Sequence, residues 1–387
     1  MSFLTWSAFI FRAIFLLSIP NLSNDFYRFI WDGRMILEGF NPYLYTVESF
    51  ISKNVFPVEQ ALELYHGMGE LNASHFTNYP PLNQLCFVFA ALFAGKNILG
   101  SVVVIRILII AADFGTLFFG KKLLEKLNIP VYNIFWYILN PFIIIELTGN
   151  LHFEGVMIFF LVWSLYLLHI GKWQLSAVIL ALSVSIKLIP LIFLPLFFQK
   201  FGWKKSILFY LITGLVTLLF FIPFYSETFI SNYTKSVGLW FKTFEFNASL
   251  YYIAREIGYL FRGYNEIAAI GKIIPAVVIL FVLIITFFKK NKTTIDLITS
   301  MLFAVSFYYF TATTVHPWYI ATLLILSIFT NYKFPLIWSF AIVLSYLAYT
   351  NANNTENLLL ISIEYLIVYG FFVWEILKNK KAMKMVS

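Results

Sequence analysis

The chain has 387 residues, of which 60% are hydrophobic, 20% aromatic and only 12% charged. Soluble domains carry about twice that share of charged residues, so the composition excludes an ordinary soluble protein and indicates lipid as the solvent. The net charge of +8 does not indicate nucleic-acid binding, because the lysines form short clusters between apolar runs, as in cytoplasmic loops. The single cysteine, Cys86, excludes an intrachain disulfide and a cysteine metal site.

Apolar runs long enough to cross a bilayer core recur along the chain. The first, residues 1–20, contains Arg12 and lacks the cleavage site of a secretory signal, so it predicts a retained first helix. The clearest later runs are residues 98–120, 207–225, 267–288 and 358–377. Residues 82–94 and 190–198 are shorter and predict half-helices or membrane dips. The pattern predicts an all-α polytopic transmembrane bundle of about 11–12 membrane segments, forming a single domain over residues 1–387.

The lysine clusters give this predicted bundle an orientation. If the clusters around Lys121, Lys200 and Lys289 face the cytoplasm, two long loops, residues 23–81 and 226–265, lie on the opposite side. Both loops are rich in aromatic residues and lack the composition of a flexible linker, so they are expected to carry short interfacial helices. The chemistry of the protein is therefore expected on the extracytoplasmic side.

The first loop begins with a polar stretch that is costly to place at a membrane surface. If the stretch is helical, Asp25, Arg28 and Asp32 lie on one face, because they are three and four residues apart. Two interpretations stay open. In one, the two carboxylates and the arginine serve a reaction. In the other, Arg28 and Asp32 form a salt pair, and Tyr27 and Trp31 anchor the loop at the membrane interface.

Further polar groups are predicted on the same side. His152 and Glu154 lie where one helix ends and the next begins; a lone histidine there is typical of a structural residue, but the nearby carboxylate keeps a functional role open. Lys187, near the outer end of its helix, breaks the charge bias and needs a carboxylate or a phosphate as partner. His316 is followed by two aromatic residues, so a place in the aromatic belt is the alternative to a binding role.

Charged residues also fall inside the predicted membrane segments. Arg106 and Asp113 are seven residues apart and share a helix face, which is typical of a buried structural pair. The second long loop carries cations among aromatic residues, against the usual charge bias, and this predicts an anionic lipid headgroup as ligand. These cations are Lys235, Lys242, Arg255 and Arg262.

The motifs of the first loop resemble those of the GT-C superfamily of membrane glycosyltransferases, which take sugars from polyprenyl-phosphate donors. The run from Asp25 to Tyr43, ending in Gly-Phe-Asn-Pro-Tyr, is similar to that of the GPI mannosyltransferase I catalytic subunit. It is closer to bacterial GT-C proteins with an Asp-Tyr-Arg-Tyr-x-Trp-Asp-Gly-Arg signature. This chain departs at Asn24 and Phe26, where relatives carry an acidic pair or Asp-x-Asp, so a metal-binding role is not carried over.

Later motifs extend the resemblance. The sequence Tyr-Pro-Pro-Leu that begins at Tyr79 is similar to a motif of dolichyl-phosphate-glucose-dependent glucosyltransferases. His152, Glu154 and Lys187 fall in the same order and at similar spacing as the His and Lys motifs of those enzymes. The resemblance covers about residues 1–200; beyond them only hydropathy and the motif around His316 support it.

The resemblance implies an inverting transfer of a hexose, with mannose indicated by the first loop, from a polyprenyl-phosphate donor to an extracytoplasmic glycan or lipid acceptor. Asp25 matches the family's catalytic aspartate and is expected to remove the proton of the acceptor hydroxyl. The expected substrate-binding residues are Tyr27, Arg28, Asp32, Arg34, Tyr79, His152, Glu154, Lys187, Arg255, Arg262 and His316. Among them, Lys187, Arg255, Arg262 and His316 are expected to stabilise the phosphate of the leaving group. No metal site is required by these residues, and a divalent cation stays an alternative.

Two other functional classes stay open. A multi-helix transporter or flippase of a lipid-linked saccharide would be favoured by an inverted repeat or paired broken helices, and the sequence shows neither. A non-catalytic scaffold subunit of an envelope glycan pathway would tolerate the loss of Asp25. The composition, heavy in Lys, Asn, Ile and Phe, is typical of an AT-rich bacterial genome. The expected place is therefore the bacterial inner membrane, with membrane lipids as partners and the active site facing the periplasm.

Overall fold

The computed structural model describes residues 1–350 and 355–386, and these ranges contain helices and loops without a β-strand. The α-helices of the first half are α1 (Ser2–Ile14), α2 (Asp25–Leu37), α3 (Val47–Ile51), α4 (Ala61–Ser74), α5 (Pro81–Ala94), α6 (Ile98–Lys126), α7 (Phe135–Ile138), α8 (Pro141–Ile143), α9 (Glu154–His169) and α10 (Trp173–Ile186). Those of the second half are α11 (Phe198–Phe221), α12 (Phe229–Lys242), α13 (Leu250–Arg262), α14 (Ile267–Phe288), α15 (Thr294–Thr311), α16 (Ile320–Ser327), α17 (Phe334–Ala341) and α18 (Leu358–Val386).

Other helix types connect these elements. The 3-10 helices are Val131–Ile134, Ile189–Phe197, Ile222–Phe224, Pro317–Tyr319 and Ile342–Thr350. A π-helix, Ile144–Gly149, follows α8. Segments of π-helix are rare and occur frequently at functional sites.

Five helical segments in the described residues are long and apolar enough to cross a membrane: Ile98–Lys126, Ile189–Phe224, Ile267–Phe288, Thr294–Thr311 and Leu358–Lys380. The pair Val131–Ile138 and Pro141–Gly149, bent by 52°, adds one more if it forms a single span. Shorter apolar helices include Ser2–Ile14, Pro81–Ala94, Glu154–His169 and Trp173–Ile186. The chain is therefore an all-α polytopic membrane protein, as predicted. The number of about 11–12 membrane segments, which counts such shorter helices, stays a prediction.

The helices form two compact units. The first contains Met1–Leu123, Ile138–Leu191 and Ile207–Gly238. The second contains Leu124–Tyr137, Ile192–Ser206 and Leu239–Ser387. In the first unit α2 packs against α4 and α5, and α9 packs against α10; in the second, α14, α15 and α16 pack in succession, as do α17 and α18. The single domain expected over residues 1–387 stays a prediction.

The predicted first loop is largely helical, and its helix α2 packs against α5, a short apolar helix of the first unit. Gly33 makes this close approach feasible, because a Cβ atom there would lie 2.3 Å from the carbonyl oxygen of Phe87 in α5. The rings of Phe29 and Phe87 stack with centroids 4.6 Å apart, and Phe153 packs on Phe87 at 5.3 Å. This aromatic cluster joins α2, α5 and the residue before α9, and so fixes the start of α2 relative to the start of α9.

The buried charges of the membrane segments pair differently from the prediction. Asp113 pairs with Arg12 of α1, whose Nε lies 2.7 Å from the Asp113 carboxylate, and both side chains are fully buried. Arg106 donates instead to three carbonyl oxygens, those of Leu16, Thr148 and Gly149. The expected Arg106–Asp113 pair was therefore wrong, because α1 supplies the cation and the end of the π-helix supplies unpaired carbonyl groups.

Candidate active site

Asp25 is the first residue of α2, and its side chain is half-buried. A carboxylate at this position is stabilised by the partial positive charge of the helix N-terminus. The side-chain amide of Asn72 in α4 donates a hydrogen bond of 3.1 Å to Oδ1 of Asp25. The Asn72 amide therefore fixes one oxygen of the carboxylate, while the side chain as a whole stays partly accessible.

Arg28 and Asp32, by contrast, are buried and engaged by protein groups. Nε of Arg28 lies 2.7 Å from Oδ1 of Asp32, so the salt pair considered from the sequence is present. The Nη1 atom of Arg28 also donates to the carbonyl oxygens of Asn72 and His75. Gln84 in α5 donates to the second oxygen of Asp32 at 3.0 Å. The pair thus ties α2 to α4 and α5, and a role in binding substrate stays a prediction.

The other residues predicted on α2 lie apart from this pair. The ring of Tyr27 packs against Gly67 and stacks near Phe26. Trp31 is fully buried and donates to the sulfur of Met35, so its predicted place at the membrane interface was wrong. Arg34 donates to the carbonyl oxygen of Glu59 at 2.8 Å, near the opposite end of α2 from Asp25.

Arg34 lies nine positions after Asp25 in α2, or roughly 13.5 Å further along the helix axis. Burial lowers the pKa of Arg34, and the negative charges of Glu59 and Glu63 oppose that effect. Its Nε and Nη2 atoms are buried and have no hydrogen-bond partner among the described residues. The structure therefore does not place Arg34 beside Asp25, and the expected role of Arg34 in binding substrate stays a prediction.

The phenol of Tyr79 is affected by charged residues of both α2 and α9. Burial raises the pKa of its phenol well above the usual value, and the negative charge of Asp25 raises it further. Arg28 opposes this effect, whereas Asp32 and Glu154 add to it. The phenol therefore lies within electrostatic reach of both Asp25 and Glu154, two carboxylates that are far apart in sequence. It stays protonated at neutral pH and can donate a hydrogen bond.

Glu154 and Lys187 form a buried ion pair in the first unit. Nζ of Lys187 lies 2.5 Å from Oε1 of Glu154, and the Glu154 side chain is only 3% exposed. The prediction that Lys187 needs an anionic partner is confirmed, with a carboxylate in that role. The second oxygen of Glu154 is buried and has no hydrogen-bond partner among the described residues.

The turn before Glu154 has an unusual backbone. Leu151 is fully buried and adopts φ +63°, a left-handed conformation that is uncommon outside glycine. Arg106 holds the preceding carbonyl groups of Thr148 and Gly149. Strain of about 1–3 kcal/mol at one residue persists only where the surroundings impose it, and such residues cluster at functional sites.

His152 lies on the same turn and is almost completely buried. Its Nε2 atom is 3.9 Å from Oε2 of Glu146, a residue of the π-helix whose other oxygen accepts a weak hydrogen bond from Asn150. This position is compatible with a structural role for His152 and also with a role in binding substrate. The expected role of His152 in binding substrate stays a prediction.

The remaining predicted residues belong to the second unit. The imidazole of His316 stacks on Trp318 with centroids 4.5 Å apart and on Phe246 at 5.2 Å. Arg255 pairs with Glu245 at 2.9 Å and with Glu256 at 3.0 Å.

Arg262 pairs with Glu266 at 3.3 Å. Arg255 and Arg262 are therefore already paired with carboxylates, and the anionic lipid headgroup expected as their ligand stays a prediction. The side chain of Lys242 lies outside the described residues. A role of Arg255, Arg262 and His316 in binding phosphate stays a prediction.

Sequence reasoning missed Asn72 and Gln84. Gln84 had a usable signal, because a buried amide in the first turn of an apolar helix needs a partner, and here the partner is Asp32. Asn72 had none, since it meets Asp25 from 47 residues away and belongs to no motif. Within the described part of the chain, no three His, Cys, Asp or Glu side chains are grouped so as to hold a metal ion.

Comparison with known proteins supplies the family. The family model described as "Alpha-(1->6)-mannopyranosyltransferase, N-terminal domain" matches residues 3–200, which is more than half of the chain. The chain belongs to this family. The match covers α2, Asp25, Tyr79, the strained turn at Leu151 and the Glu154–Lys187 pair. The resemblance to membrane mannosyltransferases that the first-loop motifs indicated is thereby confirmed.

Two curated relatives agree with this assignment. The chain is 22% identical over 199 residues to Alpha-(1->6)-mannopyranosyltransferase A of Mycobacterium tuberculosis, across 51% of this chain and 36% of that protein. It is 25% identical over 181 residues to the protein of the same name from Corynebacterium glutamicum, across 46% of this chain and 35% of that protein. The matched part spans about a third of the relatives' own lengths.

Proposed function

We propose that the chain catalyses an inverting transfer of mannose from a polyprenyl-phosphate donor to a glycan or lipid acceptor. The proposed place is the periplasmic face of a bacterial inner membrane, within the GT-C superfamily. Family membership supports the class of reaction, and the printed name of the two relatives supports mannose as the sugar. The apolar helices support a donor that is held in the lipid phase.

One observation carries the proposal to a particular residue. Two other carboxylates of the site are paired with cations, Asp32 with Arg28 and Glu154 with Lys187. Asp25 has no ion-pair partner among the described residues, is half-exposed and is oriented by the neutral amide of Asn72. A general base must be reachable and must not be neutralised by a fixed cation. Asp25 meets both conditions.

The proposed reaction is a single displacement. Asp25 accepts the proton of the acceptor hydroxyl as that oxygen forms a bond to the anomeric carbon of the donor sugar. The bond from the anomeric carbon to the phosphate oxygen breaks, and the electron pair leaves with the polyprenyl phosphate. Inversion to the α linkage in the relatives' name requires a β-linked donor.

The negative charge that develops on the phosphate needs fixed cations or hydrogen-bond donors. For this role the sequence predicts Lys187, Arg255, Arg262 and His316, and each of them stays a separate proposal. Tyr27, Arg28, Asp32, Arg34, Tyr79 and His152 complete the proposed binding residues. Lys187, Arg255 and Arg262 are paired with carboxylates in the structure, so a chelator tests whether a divalent cation supplies further positive charge at the phosphate.

The test is sugar transfer by the purified protein in nanodiscs. Labelled polyprenyl-phosphate mannose, glucose and arabinose are offered with a crude cell-envelope acceptor mixture, with and without EDTA. Wild type is compared with Asp25→Asn and with Glu48→Gln, an exposed carboxylate in the first turn of α3. Loss of a general base is expected to lower the rate by about 10²–10⁴-fold.

Turnover of the mannose donor by wild type and Glu48→Gln, but not by Asp25→Asn, supports the reaction and the base together. Equal turnover by wild type and Asp25→Asn overturns Asp25 as the base. Absence of turnover with every donor overturns the proposed reaction. Transport of the intact donor across the bilayer would then be measured, because it separates a flippase from a scaffold subunit.

A further inference from the structure

The second oxygen of Glu154 is a buried hydrogen-bond acceptor without a donor. Lys187 donates to Oε1 at 2.5 Å, whereas Oε2 has no hydrogen-bond partner among the described residues. A buried carboxylate oxygen that lacks a donor destabilises the fold, because its lost hydration is not replaced by a hydrogen bond. A bound group that donates a hydrogen bond to Oε2 would remove that penalty.

The surrounding structure holds this carboxylate in place by several independent means. Leu151 is buried at φ +63°, and Arg106 binds the two carbonyl groups at the end of the π-helix. Phe153, next to Glu154, packs in the aromatic cluster with Phe87. A strained backbone that several neighbouring groups hold in place is typical of active sites and ligand-binding sites.

Glu154 also belongs to the same polar site as the proposed base. The charges of Asp25 and Glu154 both act on the phenol of Tyr79. The two carboxylates differ in their partners, since Asp25 faces a neutral amide and Glu154 an ammonium group. Asp25 has no ion-pair partner among the described residues, whereas Glu154 is held by Lys187 through Oε1 and keeps Oε2 as a hydrogen-bond acceptor.

The chemistry of Oε2 selects the kind of group it can receive. A phosphate oxygen would be repelled by the carboxylate, and the charge of Glu154 is already balanced by Lys187. A neutral hydroxyl donates a hydrogen bond without adding charge. Sugars in the proposed reaction supply several such groups, on the donor hexose and on the acceptor.

Building on the proposed function, we infer that Oε2 of Glu154 accepts a hydrogen bond from one sugar hydroxyl and thereby determines which sugar is used. Lys187 is the positioning residue that holds the carboxylate. A site built to bind a hydroxyl rejects the analogue that lacks it by several orders of magnitude, because the buried acceptor is then left unpaired.

The experiment compares mannose substrates with single deoxy analogues in nanodiscs. One arm uses polyprenyl-phosphate mannose and its 2-, 3-, 4- and 6-deoxy forms with a fixed acceptor. The other arm keeps the mannose donor and uses deoxy forms of a mannoside acceptor. Wild type is expected to discriminate against one analogue by on the order of 100-fold or more in kcat/KM, and the arm in which this occurs identifies the sugar.

Substitutions of Glu154 test whether this residue causes the discrimination between mannose and the deoxy analogue. In Glu154→Ala the ratio for the same analogue is expected to fall to within about threefold, while ratios for the other analogues stay unchanged. Glu154→Gln keeps an acceptor oxygen and is expected to retain part of the discrimination. Glu364→Gln is the matched control, because Glu364 is also fully buried and its Oε2 also has no hydrogen-bond partner among the described residues.

The outcomes separate this inference from the proposed function. If wild type turns over mannose but treats every deoxy analogue alike, only the role of Glu154 is overturned, even if the Glu154 variants fail to fold. An unchanged ratio in Glu154→Ala, or an equal fall in Glu364→Gln, overturns it as well. If wild type uses no sugar donor at all, the proposed function and the inference both fail.

Discussion

The side-chain amide of Asn72 donates a hydrogen bond of 3.1 Å to Oδ1 of Asp25. The carbonyl oxygen of Asn72 meanwhile accepts a hydrogen bond of 2.7 Å from Arg28, whose guanidinium pairs with Asp32. The buried salt pair therefore holds Asn72 through its backbone, and Asn72 in turn orients Asp25 through its side chain. In the proposed reaction Arg28 and Asp32 serve the base indirectly, by fixing the residue that orients it.

Asn72→Ala is expected to lower kcat by roughly tenfold with little change in KM. Hydrogen bonds to charged groups contribute about 1.5–3 kcal/mol, and the half-buried position favours the lower end. Steady-state kinetics with the mannose donor measure the effect. Ser74→Ala is the control, because the exposed Ser74 hydroxyl at the end of α4 donates to the carbonyl oxygen of Leu71 and not to Asp25. Equal losses of kcat in both variants would show that Asn72 only supports the fold.

Tyr79→Phe is expected to lower kcat/KM by about tenfold, because it removes a hydrogen-bond donor close to two carboxylates. The raised pKa of the phenol keeps it protonated, so the pH dependence between pH 6 and pH 9 is expected to be the same in both proteins. Tyr45→Phe, at an exposed position of the same loop, is the control. A change in the shape of the pH profile in Tyr79→Phe would show that the phenol titrates during turnover.

Gly33→Ala is expected to destabilise the first unit by roughly 3 kcal/mol or more, since overpacking against rigid atoms forces the backbone to move. The new Cβ atom would lie 2.3 Å from the carbonyl oxygen of Phe87, which is backbone and cannot rotate away. Gly214→Ala in α11 is the matched control, because a Cβ atom there meets nothing within 4 Å. Thermal unfolding in nanodiscs measures both variants. A similar melting temperature for Gly33→Ala and wild type would contradict the close packing of α2 on α5.

Hydropathy predicted most of the long apolar helices, because lipid imposes long apolar runs on the sequence. The run predicted at residues 267–288 coincides with α14, and α5 is as short as residues 82–94 indicated. The fold of the two long loops was less predictable. Their helices depend on contacts such as Gly33 against Phe87, which lie far apart in sequence.

In the candidate site, too, local features were predicted from the sequence and contacts between distant residues were not. Local spacing predicted the Arg28–Asp32 pair, because both residues lie on one helix. The partner of Lys187 was predicted only as a class, a carboxylate or a phosphate, since its identity depends on how α9 packs against α10. The pair of Arg12 and Asp113 was missed for a related reason: 101 residues separate them, and a nearer arginine on the same helix looked like the partner.

The stability of the first unit is expected to fall as the pH is lowered through the range from about 6.5 to about 4. Burial lowers the pKa of His75 from its usual 6.5 to about 4, and the positive charge of Arg28 adds to this effect. Between these values the unfolded chain binds a proton that the folded chain does not, so acid favours unfolding. The full effect is roughly 3 kcal/mol, reached near pH 4.

Melting temperatures of wild type, His75→Gln and His66→Gln between pH 7.5 and pH 4.5 test this prediction. His75→Gln is expected to flatten the pH dependence, because glutamine does not titrate. His66 is exposed, and its variant is expected to follow wild type. If His75→Gln loses stability with acid as steeply as wild type does, another group is responsible.

The helix α13 is expected to lie in the membrane interface with one face in the lipid. Ile253, Ile257, Leu260 and Phe261 fall on one side of this helix, and the last two are 84% and 82% exposed. Glu256 is an exposed carboxylate on the same helix.

Fluorescence quenching by lipids tests this position. Because Cys86 is the only cysteine, a Cys86→Ser background allows one fluorophore to be attached at Phe261→Cys or, as control, at Glu256→Cys. Lipids with a nitroxide below the headgroup are expected to quench the label at 261 strongly and the label at 256 weakly, since an amphipathic helix buries only its apolar face. Equal quenching at both positions would place the whole helix in lipid, and no quenching at either would place it away from the bilayer, so both results contradict an interfacial helix.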